Sequence, residues 1–323
     1  MRRLSRWLIG FFVAFTAAIL FANLTHSQPA RSPEGKPDIR ARVETLHVTI
    51  ASDPADLYLP DLPGRMNRRE ALPIALMLPG ALVDRSYYSQ FAQSVARSGF
   101  AVVVPTHLRS LPEFNISGEL SEAAQIPATL TFLEQENANA NSPLYRKLDP
   151  SRMALLGHSH GGFVGLQAIA NSCIFPFCTP PFSRPDAVKV GIFYGVNSRN
   201  PMTGTYAPTA NDRIPVALVQ GSLDGIATPE EAIATFDLIQ TPPRALITIE
   251  GTNHYGITDR NNPPGAMPDP STPSLEQSQG IETIAQWTAT FLRAHLYEDA
   301  AARQQIYGNR RPGSSVSITS VLE

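Results

Sequence analysis

The sequence predicts an α/β fold in which helices cover both faces of a mostly parallel sheet. Several short apolar runs, such as Phe100 to Val104, lack the alternation typical of a strand with one wet face, which indicates parallel strands buried on both faces. Stretches with apolar residues at helical spacing, such as Ser86 to Ser98, lie between these runs. This alternation favours βαβ units on one sheet, and 323 residues suffice for one large domain.

Eight strands are expected from apolar runs bounded by turn residues. In chain order they are Val43 to Ile50, a weaker strand at Leu57 to Pro60, Pro73 to Leu78, Phe100 to Val104, Met153 to Leu156, Val188 to Tyr194, Ile214 to Val219 and, last, Ala245 to Ile249. The helices are expected at Ser86 to Ser98, at Leu120 to Leu133 with a kink at Pro127, at Gly161 to Ala170, after the cap Thr228, and at Leu275 to Leu296. The segment 301–323 is expected to be a loosely held polar tail.

The first 27 residues have the layout of a secretory signal. Three arginines within Met1 to Arg6 precede the uncharged apolar run Trp7 to Phe21, and the small residues Thr25 and Ser27 suit a cleavage site. We therefore expect export to a periplasmic or extracellular space; if the segment is not cleaved, residues 7–24 are long enough to anchor the chain in a membrane. A proline-containing linker at 28–40 then leads to a folded domain over 41–300.

Charge and cysteine content narrow the function. The chain has 26 Lys and Arg against 28 Asp and Glu, with no basic block beyond its first residues, which argues against a nucleic-acid partner. The cysteines are Cys173 and Cys178, and an oxidising compartment favours a disulfide between them, with two buried thiols as the alternative. No histidine lies near them in sequence, so a metal site is not expected there.

One pentapeptide, Gly157-His158-Ser159-His160-Gly161, fits the pattern G-x-S-x-G between a strand and a helix. In that setting the serine occupies a strained turn, and the glycines avoid collisions beside it. A serine hydroxyl needs a general base to become a nucleophile, and the base needs an orienting carboxylate. Metal chemistry is not expected from His158 and His160, because no carboxylate or cysteine cluster accompanies them.

The base and the acid follow by elimination. Of the histidines after Ser159, only His254 lies in a loop just after a strand. Only Asp224 lies at the carboxyl end of a strand, where ligands gather in open α/β sheets, and Glu250 is the reserve candidate. The two N–H donors for an oxyanion are expected from His160 and from Ala81 in the turn after Leu78, with Leu82 as the alternative to Ala81.

These residues carry a resemblance to a known family. The segments concerned are Leu78-Pro79-Gly80, Asp149-Pro150-Ser151-Arg152, Gly157 to Gly162, Gly221 to Pro229 around Asp224, and Asn253-His254. From about Pro73 to Leu296 the chain resembles the lidless α/β-hydrolases that include polyester hydrolases and cutinase-like enzymes, chlorophyllases and platelet-activating-factor acetylhydrolases. The resemblance implies an α/β-hydrolase fold and hydrolysis of a carboxylic ester without a cofactor.

The chain departs from polyester hydrolases at two positions. Those enzymes usually have an aromatic residue where Ala81 stands and a methionine where His160 stands, so polyester is a less favoured substrate. Only the segment Asn197 to Arg213 separates two late strands where related enzymes insert a cap, so no cap domain is expected. The pocket would then be walled by four loops on the carboxyl edge of the sheet. They are His107 to Gly118, Cys173 to Phe182, Asn197 to Arg213 and Tyr255 to Ser274, with Phe175, Phe177 and Phe182 as either apolar lining or core.

The function expected from these residues is hydrolysis of a small or lipophilic ester through an acyl-enzyme on Ser159. An amidase or peptidase with the same three residues is one alternative. A ligand-binding protein that keeps the fold without turnover is another.

Overall fold

The computed structural model describes residues 42–61, 71–112, 116–175, 178–200, 203–308 and 315–323. The predicted signal segment and linker lie outside these residues. Within them, no helix combines the length and the apolar character needed to cross a membrane.

The described residues form eleven strands and six α-helices, together with a short 3₁₀ helix at Arg85–Tyr88. The strands are β1 (Val43–Ile50), β2 (Asp53–Pro60), β3 (Leu72–Leu78), β4 (Ala101–Pro105), β5 (Leu108–Leu111), β6 (Ile116–Glu119), β7 (Leu148–His158), β8 (Val188–Tyr194), β9 (Val216–Gly221), β10 (Arg244–Ile249) and β11 (Val316–Val321). The α-helices are α1 (Ser89–Arg97), α2 (Gln125–Ala138), α3 (His160–Ile169), α4 (Pro229–Asp237), α5 (Gln277–Leu296) and α6 (Ala300–Tyr307).

Nine strands form one sheet in the order β1-β2-β4-β3-β7-β8-β9-β10-β11. The six from β4 to β10 in this order are parallel to one another, whereas β1, β2 and β11 add antiparallel edges. Because the central strands run in one direction, the carboxyl ends of β3, β7, β9 and β10 lie at the same edge of the sheet. The predicted α/β-hydrolase fold, with a mostly parallel sheet, is confirmed.

Alternate side chains of the sheet feed two separate cores. In β3, Ala75 and Met77 pack with α1 and α5, whereas Ile74 and Leu76 pack with α2, α3 and α4. All four of these side chains are fully buried. The continuous apolar runs therefore reflect strands covered by helices on both faces, as the sequence predicts.

Several element boundaries differ from those predicted. Helix α2 begins at Gln125 rather than Leu120. Pro127 therefore lies in the first turn, where a missing N–H is tolerated, instead of kinking the helix. The expected loop His107 to Gly118 contains the hairpin β5–β6. In the described part of Asn197 to Arg213 there are two isolated bridge pairs and no helix, so no cap is seen among those residues.

The expectation of a loosely held tail is wrong for much of 301–323, and β10 is not the last strand. Helix α6 buries Ala302 and Ile306, and β11 pairs with β10 over six residues. The alternation Val-Ser-Ile-Thr-Ser-Val in β11 is itself a strand signal.

Val316→Ala tests this edge of the sheet. Val316 is buried in the core with α5 and α6, so its truncation should lower the free energy of unfolding by about 1–2 kcal/mol in chemical denaturation. Ser317→Ala, on the exposed face of the same strand, is the matched control and should have almost no effect. If both variants matched the wild type, β11 would not be part of the folded core.

Candidate active site

Ser159 lies alone in the turn between β7, which ends at His158, and α3, which begins at His160. Its φ is 51° and its ψ is −118°, an unfavourable conformation for any residue other than glycine. The turn is held by the Ser159 N–H, which donates to the Tyr194 carbonyl at 3.0 Å, and by the Phe163 N–H, which donates to the Ser159 carbonyl at 2.9 Å. The sequence therefore folds into the strained turn that the pentapeptide predicts.

The two glycines of the pentapeptide are required by backbone contacts. A Cβ on Gly161 would collide with the carbonyl oxygen of Leu78, and one on Gly157 would lie 2.6 Å from the Gly161 carbonyl oxygen. Real Cβ atoms do not approach other atoms so closely. The start of α3 is thus pressed against the end of β3, which brings the turn after β3 beside Ser159.

The predicted base and acid form a buried pair. His254 Nδ1 lies 2.8 Å and 3.0 Å from the two carboxylate oxygens of Asp224, and the two side chains are 2% and 0% exposed. Asp224 Oδ1 also accepts from the N–H groups of Ile226 and Ala227, at 2.9 Å and 2.8 Å. Since a carboxylate only accepts, His254 Nδ1 is the donor, which leaves Nε2 as the basic nitrogen. Glu250, the reserve candidate, is exposed and is not paired with His254.

The pair lies next to the Ser159 turn. Tyr194, whose carbonyl holds the Ser159 N–H, is followed by Gly195, and a Cβ on Gly195 would be 2.9 Å from Asp224 Oδ2 and 3.0 Å from His254 Nδ1. The structure thus brings the three predicted residues together from the carboxyl ends of β7, β9 and β10.

A second buried carboxylate, on Asp269, connects the turn that contains Asp224 (the acid turn) to the turn that contains His254 (the base turn). It accepts from the N–H of His254 at 2.8 Å, of Gly225 at 3.2 Å and of Ser271 at 2.7 Å. From sequence, Asp269 is expected only as part of the pocket wall Tyr255 to Ser274. Its local sequence does not separate it from Asp259 in the same loop, so only the tertiary structure identifies it.

The turn after β3 contains Ala81 and Leu82, the two alternatives predicted for the second oxyanion donor, and only one of them has an N–H group available. The Leu82 N–H donates to the Glu119 carbonyl at 2.7 Å, and the Gly80 N–H donates to the Tyr88 hydroxyl at 2.8 Å. The Ala81 N–H makes no hydrogen bond to the residues that the structure describes. This geometry favours Ala81 over Leu82 as an oxyanion donor.

The side chain of His160 supports the wall of the site. Its Nε2 donates to the Ser121 carbonyl at 3.0 Å, and the Ser121 hydroxyl donates to the Pro79 carbonyl at 2.9 Å. Burial lowers the pKa of His160, so the ring is neutral at pH 7. The ring therefore links the start of α3 to the segment before α2.

Cys173 and Cys178 form a disulfide, as predicted, with their Cα atoms 5.2 Å apart. Phe182 packs against the core on the face of the sheet covered by α2, α3 and α4, whereas Phe175 is 49% exposed. Phe177 lies outside the described residues. Of the alternatives for these aromatic residues, core packing therefore holds for Phe182 and surface exposure for Phe175.

An ion cluster holds this loop to the hairpin β5–β6. His107 lies between Asp53, at 2.9 Å, and Glu122, at 3.3 Å, and Arg109 approaches Glu122 at 3.6 Å. Glu122 Oε1 also accepts from the N–H of Thr179, just after Cys178, at 2.9 Å. Hydrogen bonds to Asp53 and then Glu122 raise the pKa of His107 to about 9, and the bond from His107 lowers the pKa of Glu122 to about 2.

The fold, with its mostly parallel nine-stranded sheet, is that of an α/β-hydrolase. A family model described as chlorophyllase matches residues 42–173, a range that includes Ala81 and Ser159. Chlorophyllase-1, chloroplastic, from Citrus unshiu is 24% identical over 277 residues, which cover 74% of this chain and 75% of that protein. Chlorophyllase-1, chloroplastic, from Citrus sinensis is 26% identical over 207 residues, which cover 58% and 56% of the two chains. These similarities support an esterase family of the α/β-hydrolase type.

The ion cluster predicts a pH dependence of stability. The pKa of His107 is raised from 6.5 on folding, so its stabilisation is complete below 6.5 and is lost as the pH rises through about 9. The pKa of Glu122 is lowered from 4.5, so its stabilisation is present above 4.5 and is lost as the pH falls through about 2.

His107→Gln should therefore lower the melting temperature by several degrees at about pH 6, and the difference from the wild type should shrink as the pH rises past about 9. His47→Gln is the control, because His47 pairs with Asp56 but its side chain is 78% exposed. A difference for His107→Gln that did not change with pH would show that the charge of His107 has no part in stability.

Proposed function

We propose that the protein is a serine esterase that hydrolyses carboxylic esters through an acyl-enzyme on Ser159. The observation that carries this proposal is the buried His254–Asp224 pair beside the strained turn of Ser159. The esterase similarity of the chain supports the same reaction class.

In the first half of the reaction, Ser159 Oγ attacks the ester carbonyl carbon while His254 Nε2 takes the hydroxyl proton. Asp224 holds His254 Nδ1–H and stabilises the imidazolium. The negative charge on the former carbonyl oxygen is met by the N–H groups of Ala81 and His160. The C–O bond to the alcohol then breaks, and His254 returns its proton to the leaving alcohol.

In the second half, water attacks the acyl carbon and His254 Nε2 takes a proton from it. The bond to Ser159 Oγ breaks, the serine recovers that proton, and the carboxylic acid leaves. Every proton that moves is carried by His254, so this cycle needs no cofactor.

The name of the relatives makes chlorophyll the first candidate substrate for this chain, alongside small and lipophilic esters. The apolar, exposed side chain of Phe175 on the disulfide-bonded loop suits a lipophilic group. We also propose that the chain is exported, since a disulfide forms readily in an oxidising compartment. N-terminal sequencing of the exported protein would test cleavage before residue 28.

Ser159→Ala tests the nucleophile. Turnover of p-nitrophenyl esters should fall by about 10³-fold or more, because no acyl-enzyme can form. Ser151→Ala, near the amino end of β7 and exposed to solvent, is the matched control and should retain wild-type kinetics. A panel of acyl lengths together with chlorophyll would identify the preferred ester.

Full activity in Ser159→Ala would overturn the proposal. Preferential cleavage of aryl amides over the matching esters would identify an amidase. If a fluorophosphonate probe left Ser159 unlabelled while an ester still raised the melting temperature, the protein would be a binding protein.

Asp269→Ala tests the second carboxylate. Losing the acceptor that joins the acid turn to the base turn should lower kcat by about 10-fold to 100-fold with little change in KM. Asp259→Ala is the matched control: Asp259 accepts from Ser89 and Gln90 at the start of α1, so its loss should lower the melting temperature without lowering kcat. Equal effects of the two variants on kcat would contradict the role of Asp269.

A further inference from the structure

Three hydrogen bonds form a continuous path from the turn after β3 to the base turn, which contains His254. The Gly80 N–H lies 2.8 Å from the Tyr88 hydroxyl, that hydroxyl lies 2.9 Å from His158 Nδ1, and His158 Nε2 lies 2.9 Å from the His254 carbonyl oxygen. Tyr88 and His158 are both fully buried. The path begins one residue before Ala81, passes the residue before Ser159 and ends on the base itself.

Only one arrangement of hydrogens satisfies this path. The His254 carbonyl can only accept, so His158 Nε2 carries the proton and Nδ1 accepts from the Tyr88 hydroxyl. The hydroxyl oxygen in turn accepts from the Gly80 N–H. Burial lowers the pKa of His158 and raises that of Tyr88, so the ring is neutral and the hydroxyl is protonated at pH 7.

The packing around His158 has no room for another arrangement. A Cβ on Gly80 would lie 2.8 Å from His158 Nδ1, so glycine is needed for the ring to reach this position. The His158 ring centroid lies 4.8 Å from that of His254, and 5.9 Å from the ring centroids of Tyr88 and Tyr255. The ring is therefore fixed by contacts with the turn after β3 on one side and with His254 and Tyr255 on the other.

We propose that His158 and Tyr88 are positioning residues that couple the turn after β3, which contains Ala81, to the base turn, which contains His254. This inference rests on the proposed esterase function. Neither side chain has a part in the chemical steps above. The Gly80 N–H is linked to the His158 ring through the Tyr88 hydroxyl, and the His254 carbonyl is bonded to the same ring directly. The two side chains therefore fix the distance and orientation between the Ala81 N–H and His254 Nε2. Transition-state stabilisation requires both groups to be in place at the same moment.

Tyr88→Phe is the first test, because it removes the central hydroxyl and keeps the ring. We expect kcat on a p-nitrophenyl ester to fall about tenfold while KM stays within about twofold. Tyr297→Phe is the matched control, since it also removes a tyrosine hydroxyl that is hydrogen-bonded to the backbone, in this case as a donor to the Gly99 carbonyl. It should lower the melting temperature as much as Tyr88→Phe does but leave kcat unchanged.

Two substitutions at His158 separate the two ends of the path. The glutamine amide reaches the position of Nε2, so His158→Gln keeps a donor for the His254 carbonyl and loses the link to Tyr88. The asparagine amide reaches the position of Nδ1, so His158→Asn keeps the link to Tyr88 and loses the donor. Each should lower kcat about tenfold, because each removes one of the two links by which the ring fixes the turn after β3 and the His254 carbonyl.

Combining these variants with Tyr88→Phe gives a result that a merely structural role would not produce. His158→Gln should lower kcat less than about twofold further in the Tyr88→Phe protein, because the link that it removes is already absent. His158→Asn should again lower kcat several-fold, because it cuts the link to His254.

The outcomes separate the two proposals. Wild-type turnover that depends on Ser159, together with unchanged kcat in Tyr88→Phe and both His158 variants, would overturn the positioning role alone. Strictly multiplicative losses in both double variants would also overturn it. Absence of Ser159-dependent turnover in the wild-type protein would overturn the esterase proposal and the positioning role with it.

Discussion

The close contact between the start of α3 and the end of β3 is the constraint on which the site depends. At Gly161 the backbone of the helix approaches the Leu78 carbonyl so tightly that no side chain fits between them. This contact lets the chain reverse from strand to helix through the single residue Ser159, with a positive φ. It also places the turn after β3 beside the nucleophile. The strained backbone of Ser159 is tolerated because the buried ends of β3 and β8 hold the turn on its two sides.

Around this turn the protein buries several polar and charged side chains. Asp224, Asp269, His158 and His254 are all buried, and so is the hydroxyl of Tyr88. Unpaired groups of this kind would each destabilise the fold by about 1–3 kcal/mol. Most of their partners are backbone N–H and C=O groups in the turns and loops that follow the strands. A charge that develops on a substrate would therefore meet dipoles that are already oriented, which is the condition for electrostatic stabilisation without reorganisation.

The sequence predicts the parts of this structure that rest on local pattern. The bounds of β1 follow from its alternation and those of β8 from an apolar run. The predictions of Ser159, Asp224 and His254 follow from strand ends and chain order. The roles of Asp269 and Tyr88 are not predictable in this way, because each depends on contacts between segments distant in sequence. Strand β11 had a detectable alternation, but the polar residues before it suggested a free tail. The sequence predicts a kink at Pro127 only because its apolar pattern puts the start of α2 at Leu120, five residues before the observed start at Gln125.

The walls of the site are held by different forces from its centre. The centre is built on the sheet, whose strands are fixed by two apolar cores. The loop around Cys173 and Cys178 and the hairpin β5–β6 are instead held by a disulfide and by the charges on His107 and Glu122. His160 joins the two regions, because its backbone begins α3 while its ring binds the Ser121 carbonyl. In the proposed esterase, sequence changes in the walls would therefore alter which ester fits without disturbing the strand ends that carry Ser159, Asp224 and His254. The small Ala81 and the ring of His160, which differ from the residues of polyester hydrolases, lie where these two regions meet. In the proposed esterase, the reaction class would therefore follow from the centre and the choice of substrate from the walls.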